Sequence, residues 1–187
     1  MDPPDSRVIT LNKEPSMAKS VKIVIGPVRF SYESVFEPRA MQEGATPKYS
    51  ISLLIPKTDK ETVDKVNNSV EKSKEENKEI WGGKIPAVLK GGLRDGDAEK
   101  PDDPAYKGMY FINANSQQKP GVVDADLNPI LDRSEFYSGC YGRASISFFA
   151  YNTSGSKGIG CGLNNVQKLR DGDKLGGSST AAEDFAN

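Results

Sequence analysis

Histidine is absent from all 187 residues. That absence removes Ser-His-Asp and Cys-His nucleophile pairs, histidine general bases and His-ligated metal sites together. Cysteine is nearly absent. The two present, Cys140 and Cys161, cannot fill a four-ligand structural zinc site or build a secreted disulfide scaffold, so a reducing, cytoplasmic setting is expected. Each reads as a small buried hydrophobe. No apolar run approaches the roughly 20 residues of a membrane span, and no signal-peptide hydrophobic stretch opens the chain. A large net charge is also missing: 25 Lys+Arg face 26 Asp+Glu, a formal −1. The molecule is therefore no polycation that coats nucleic acid indiscriminately, and any basic surface must be local.

The length suits one domain with appendages. Residues 1–16 (MDPPDSRVITLNKEPS) lack periodicity and precede Met17-Ala-Lys-Ser, so they read as a leader segment. Residues 171–187 (DGDKLGGSSTAAEDFAN) have almost nothing to bury and read as a flexible acidic tail. Between them, over residues 17–170, the pattern is mostly strand. Val21 to Ile25 alternates, Gly26-Pro27 interrupts as a bend would, and Val28 to Tyr32 resumes. Lys48 to Ile55, Gly108 to Ser116, Gly139 to Tyr151 and Lys157 to Val166 are further strands. One helix is inserted: Thr58 and Glu61 have capping-box spacing, and Val63, Val66, Val70 and Ile80 form a narrow stripe among alternating Lys and Glu. Gly91 to Asp103 (GGLRDGDAEKPDD) is too polar to order itself and is expected to be a mobile excursion. The expected class is all-β with one inserted helix, α+β by content: a five-stranded antiparallel barrel of the OB type with long loops.

The near-neutral total hides a division. Outside the helical segment 57–80 and the loop 95–103, residues 17–170 hold fifteen basic and seven acidic side chains. A phosphate backbone feels this local field over a Debye length of about 8 to 10 Å. The most informative strand is Cys140 to Tyr151. Cys140, Gly142, Ala144, Ile146, Phe148 and Ala150 form a small, apolar face that belongs to the core. Tyr141, Arg143, Ser145, Ser147, Phe149 and Tyr151 form the other, where a solvated face would carry more charge. Rings on a rigid strand can stack bases, at about 1–3 kcal/mol each, while Arg pairs with phosphate. The competing reading buries those rings under the helix or a partner subunit.

A second strand, Lys107 to Lys119, sets Lys107, Met109, Phe111, Asn113, Asn115, Gln117 and Lys119 on one face. These could line a groove that tracks a backbone, or be ordinary solvated surface. Gly158, Gly160 and Gly162 alternate with Ile159, Cys161 and Leu163. Bare backbone at alternate positions suits a close-approaching chain or a ring lying across it. Neither a Rossmann fingerprint nor a Walker A sequence exists, so no nucleotide cofactor is expected, and no metal site. Three carboxylates, Asp124, Asp126 and Asp132, suit Mg²⁺ in a nuclease but read equally well as an acidic turn.

Phe136 to Asn152 (FYSGCYGRASISFFAYN) and Lys157 to Asp173 (KGIGCGLNNVQKLRDGD) closely resemble phage-encoded single-stranded-DNA-binding proteins of the OB-fold class. The opening VKIVIGPVRFSYESVFEP and the stretch KYSISLLIPKTDKETVDKV are similar to the same family. The resemblance implies an OB fold, sequence-tolerant binding of single-stranded DNA in phage replication and recombination within the host cytoplasm, and no catalysis. From the strand faces, Tyr141, Phe149, Tyr151 and Phe111 are expected to stack bases, and Arg143, Lys107, Lys119, Lys22, Arg29 and Lys48 to track phosphates. Glu183, Asp184 and Phe185 resemble the acidic, aromatic-tipped tails through which single-strand binders recruit replication proteins; the same tail end also reads as a solubiliser, or as a pseudo-ligand for the basic groove. A homodimer or homo-oligomer fits, and the alternative function is a structural or assembly protein whose aromatic face is a subunit interface.

Overall fold

The structure, a computed structural model, describes residues 19–153 and 155–175. The leader expected at residues 1–16 and the tail residues Glu183, Asp184 and Phe185 lie outside the described residues. In chain order the elements are β1 (Val21–Arg39), β2 (Lys48–Pro56), α1 (Lys60–Glu76), β3 (Arg94–Asp95), α2 (Gly96–Glu99), β4 (Met109–Ser116), β5 (Gly121–Val123), β6 (Tyr141–Thr153) and β7 (Ser156–Arg170).

One long strand serves two neighbours. The first half of β1 pairs antiparallel with β6, from Val21 opposite Phe148 to Arg29 opposite Tyr141. Its second half pairs with β2, from Arg29 opposite Leu54 to Arg39 opposite Lys48. The change of partner needs a bend, and the β1–β6 register slips between Ile25 and Val28, where the Gly26–Pro27 peptide is cis. Proline withholds an N–H from the ladder, and Gly26 leaves room for the Arg143 side chain that passes it.

β2 pairs antiparallel with β4, β4 meets β7 in parallel at Asn115 and Gly162, β7 pairs antiparallel with β6, and β6 returns to β1. The circuit β1-β2-β4-β7-β6-β1 is the five-stranded, OB-like barrel expected from the alternation. Closure removes the free edges that an open sheet would expose. The short strands β3 and β5 attach outside it, to β4 and β7.

The inward face is the one the period-2 pattern marks. Cys140, Ala144, Ile146, Phe148 and Ala150 are buried beside Ile25, Val28, Phe30, Ile51, Leu53 and Ile55. Burial pushes the Cys161 thiol up to about 12, leaving it a protonated small hydrophobe. Helix α1 buries one edge: Thr62, Val66, Ser69, Val70 and Ser73. Val66 and Val70 join the barrel core. Asp59, not Thr58, caps the helix, because its carboxylate accepts from the Thr62 N–H at 3.2 Å and the Thr62 hydroxyl at 2.7 Å. Among the described residues no helix is long and apolar enough to cross a membrane.

Two segments differ from the composition-based expectation. The acidic excursion 91–103 is folded rather than mobile. Asp95 caps α2 and Asp103 caps the 3₁₀ turn Pro104–Tyr106. Lys57 Nζ holds Asp95 at 2.7 Å and Asp97 at 2.8 Å, and Arg94 grips both Glu99 oxygens. These charged groups are paired within the excursion and with Lys57 just after β2, and Tyr106 supplies the buried anchor. Residues 171–175, assigned by composition to the flexible tail, form a strap. Arg29 Nη2 donates to the Asp173 carbonyl at 2.8 Å, Gly172 N donates to Tyr137 Oη at 3.2 Å, and Leu175 N donates to the Ser138 carbonyl at 2.8 Å. Backbone groups fix it where side chains offer little.

Candidate nucleic-acid interface

The alternation that buries Ala144, Ile146 and Phe148 turns Tyr141, Arg143, Ser145, Ser147, Phe149 and Tyr151 outward along β6. None of them is buried, and α1 does not seal them; Phe149 is 39% exposed. The rings lie down on the neighbouring strand. Phe149 pairs with Gly160 and Tyr151 with Gly158 on β7. A Cβ placed on Gly160 would fall 2.6 Å from Phe149 Cε2, and one on Gly158 would fall 2.7 Å from Tyr151 Oη. The glycines are therefore the seats of the rings, with the Lys90 carbonyl also closing on Gly158, and the 39% exposure of Phe149 leaves part of its ring open. That is the geometry a stacked base requires. Exposed Lys22 stands opposite Ser147 at the edge of this shelf.

Around the barrel, the outer faces of β2 and β4 open into a groove of about 810 Å³. Its floor is small and polar: Ser50 opposite Asn115, and Ser52 opposite Asn113. Its rim carries Tyr32, Arg39, Met41, Lys48 and Lys100. Tyr32 is 61% exposed and adopts φ 45°, a left-handed conformation costly for a residue with a Cβ. It sits in the β1 irregularity between Ser31 and Ser34, which turns its ring out of the core. Lys100 Nζ lies 5.0 Å from the Tyr32 ring centroid and 5.7 Å from that of Tyr106, whose hydroxyl is 3.0 Å from Ser52 Oγ. Partial burial and the Asp103 carboxylate push the Tyr32 phenol up, so it stays protonated at neutral pH. Among the described residues no carboxylate pairs with Arg39, Lys48 or Lys100.

The expected site residues divide. Lys48 lines the groove, while Phe149, Tyr151 and Lys22 share the shelf. Arg143 is exposed beside Gly26, with Nε donating to Gln167 Oε1 at 2.8 Å. Tyr141 lies at the far end of β6, about 26 Å from Phe149 at ~3.3 Å per residue. The Arg170 guanidinium covers its ring at 3.8 Å and Arg29 stands at 5.3 Å. Arg29 already donates to the carbonyls of Gly139 and Asp173.

Phe111 is corrected: it faces outward as expected but is 0% exposed. Arg94 of the excursion, at 4.8 Å, and Tyr106 of the 3₁₀ turn that follows it, edge-on at 5.1 Å, cover it. Lys107 and Lys119 are exposed at opposite ends of β4, beyond Met109 and Ser116, and do not line one trough. Two of the three acids, Asp124 and Asp132, serve turns through their carboxylates, and Asp126 takes part through its backbone N–H. Asp124 Oδ1 accepts from the N–H groups of Asp126 and Asn128, and Asp132 Oδ1 accepts from Ser134. Among the described residues no cluster of three potential ligands could hold a metal ion.

Tyr32, Arg39 and Lys100 were not singled out by sequence. Simple alternation puts Tyr32 in register with Phe30, toward the core, and only the irregularity reverses it. Lys100 is one of two bases, with Arg94, in the acidic excursion, and it is carried to the groove by tertiary folding.

A family model described as the ssDNA-binding protein of Enterobacter phage Enc34 matches residues 21–187. The chain belongs to that family. Protein p50 of Acyrthosiphon pisum secondary endosymbiont phage 1 is 30% identical over 176 residues, covering 88% of this chain and 92% of that protein. The solved structure of the single-stranded DNA-binding protein from bacteriophage Enc34 in complex with ssDNA is similar with a TM-score of 0.66 and 27% identity, over 83% of this chain and 89% of that one. The single-stranded DNA binding protein gp2.5 of bacteriophage T7 shares the fold, with a TM-score of 0.54 and 16% identity over 89% of this chain and 94% of its own.

Proposed function

We propose that this chain binds single-stranded DNA with little sequence preference, protecting and organising exposed strands during phage DNA replication and recombination. It acts by contact, without catalysis, in the host-cell cytoplasm. Residues 17–170 are the binding unit, residues 1–16 are an appended leader, and Glu183, Asp184 and Phe185 offer a docking point for replication proteins. The observation that carries the reading is the groove: three cations and an exposed Tyr32 ring above a floor of Ser and Asn. Cations hold phosphates of any sequence, rings stack any base, and short polar side chains leave room for both. Membership in the Enc34 family and the similar fold solved in complex with ssDNA support it.

The test is a titration of a fluorescent oligothymidine at several salt concentrations. For Z phosphate contacts, log K falls with log salt with a slope near −0.7Z. Absent binding, or binding that ignores salt, ends this reading.

A further inference from the structure

We infer that a single DNA strand runs continuously from the groove across the β4–β7 seam onto the Phe149 shelf, with Gly162 as the crossing point. The inference rests on the ssDNA-binding reading and adds a path to it.

The register supplies the argument. Ser50 of β2 stands opposite Asn115 of β4, Asn115 stands opposite Gly162 of β7, and Gly162 stands opposite Ser147 of β6. These four outward positions form one row across four strands, about 14 Å at ~4.8 Å per strand. Nothing in the row is large or anionic. Asn115 lines the groove at one end of it. At the other end a Cβ on Gly162 would lie 3.8 Å from Phe149 Cε1, so the row runs directly into the shelf ring. Small side chains alone would say nothing; here they join a cation-rimmed cavity to a seated aromatic.

The opposite way round the barrel is interrupted. At Lys22, β1 pairs with β6 but has no β2 partner, because β2 joins β1 only from Arg29 onward. There the Lys65 ammonium of α1 donates to the Val24 carbonyl at 2.6 Å. Among the described residues the β4–β7 seam is thus the side on which groove and shelf are joined by an unbroken strand register.

Gly162 accepts a Cβ without a clash. A Cβ there meets the Ser147 carbonyl at 3.5 Å and Phe149 at 3.8 Å, ordinary contact distances. Joining two weak sites on one ligand raises affinity by about 10²- to 10⁴-fold. Oligothymidines of about 5 and about 15 nucleotides, within the 4–16 range occupied per OB fold, compare groove binding with the full path. In the wild type the long probe binds at least ~100-fold tighter. Gly162→Gln, bulky but uncharged, is expected to cut the advantage of the long probe at least ~10-fold, as Phe149→Ala does, with the larger loss on the long probe. Thermal melts verify that each variant is folded. A Gly162→Gln protein with an unchanged long-to-short ratio, or with equal losses on both probes, overturns the path while leaving DNA binding intact. A wild type that binds neither probe overturns the ssDNA-binding reading and the path with it.

Discussion

The groove and the shelf offer related chemistry through opposite constructions. The shelf comes from two consecutive strands joined by a short turn, and each of its rings sits on the glycine directly across the ladder. The groove is gathered from β1, β2, β4 and the acidic excursion, segments far apart in sequence, and is rich in cations. The first is local geometry. The second exists only when the whole barrel has closed and the excursion has folded against it. The shelf is therefore suited to stacking and the groove to holding phosphates, and the two should respond differently to substitution and salt.

The largest separation comes from reversing charge in the groove. Lys48→Glu combined with Arg39→Glu is expected to lower affinity for a long oligothymidine about 100-fold at low salt and to flatten the log–log salt slope by about 1.4, or ~0.7 per lost contact. An unchanged slope in a salt titration would take the phosphate track away from the groove. Next is the shelf. Phe149→Ala removes a stacking ring, for a loss of about 1–3 kcal/mol, with the slope preserved. Tyr32→Ala, measured alongside, shows whether the groove also stacks.

A subtler pair exploits the seats. Gly160→Ala drives a methyl into the Phe149 ring and is expected to cost about 1–3 kcal/mol of stability in a denaturant melt and to weaken binding toward the Phe149→Ala level. Gly162→Ala, where the methyl finds ordinary contacts, leaves stability unchanged. Equal behaviour of the two alanines would refute the seated-ring geometry.

The smallest effect concerns pH. Hydrogen bonds from Lys57 hold the Asp95 and Asp97 carboxyls below the usual range, and the two carboxylates push the Lys57 ammonium up. Acids with lowered folded values contribute stability above the ordinary carboxylate range, lost as pH falls through the folded values. The raised lysine contributes below its ordinary value, and that contribution is lost as pH rises through the folded one. The clamp thus holds between about pH 5 and pH 10. These groups are exposed and screened, so the response is local. Gly108 N donates to Asp97 Oδ1 at 3.0 Å, and its hydrogen-exchange protection should fall in acid, as it should at neutral pH in Lys57→Ala.

The same contrast explains what could be read from sequence. Five barrel strands and the inward row of β6 were legible because one face of each strand is uniformly apolar and the period is strict. The alternate glycines of β7 mark bare backbone for a chain or a ring, and the structure supplies both: the Lys90 carbonyl at Gly158 and rings at Gly158 and Gly160. Tyr32 was not, since one irregularity in β1 reverses the side its alternation assigns. Phe111 faces the side expected of it, but a segment that composition marks as unstructured folds over it. Lys100 reaches the groove on that same segment. Where the physics is a two-residue repeat, the residues declare it; where it depends on which loop lies over which strand, they do not.

The acids bear a last consequence. Asp59, Asp95, Asp103, Asp124 and Asp132 are committed to helix caps and turns, yet they still cancel the lysines and arginines in the total. Beyond a Debye length of about 8 Å such a particle presents almost no field. Long-range steering of polyanions is then weak, and attraction is confined to the trough where the cations stand.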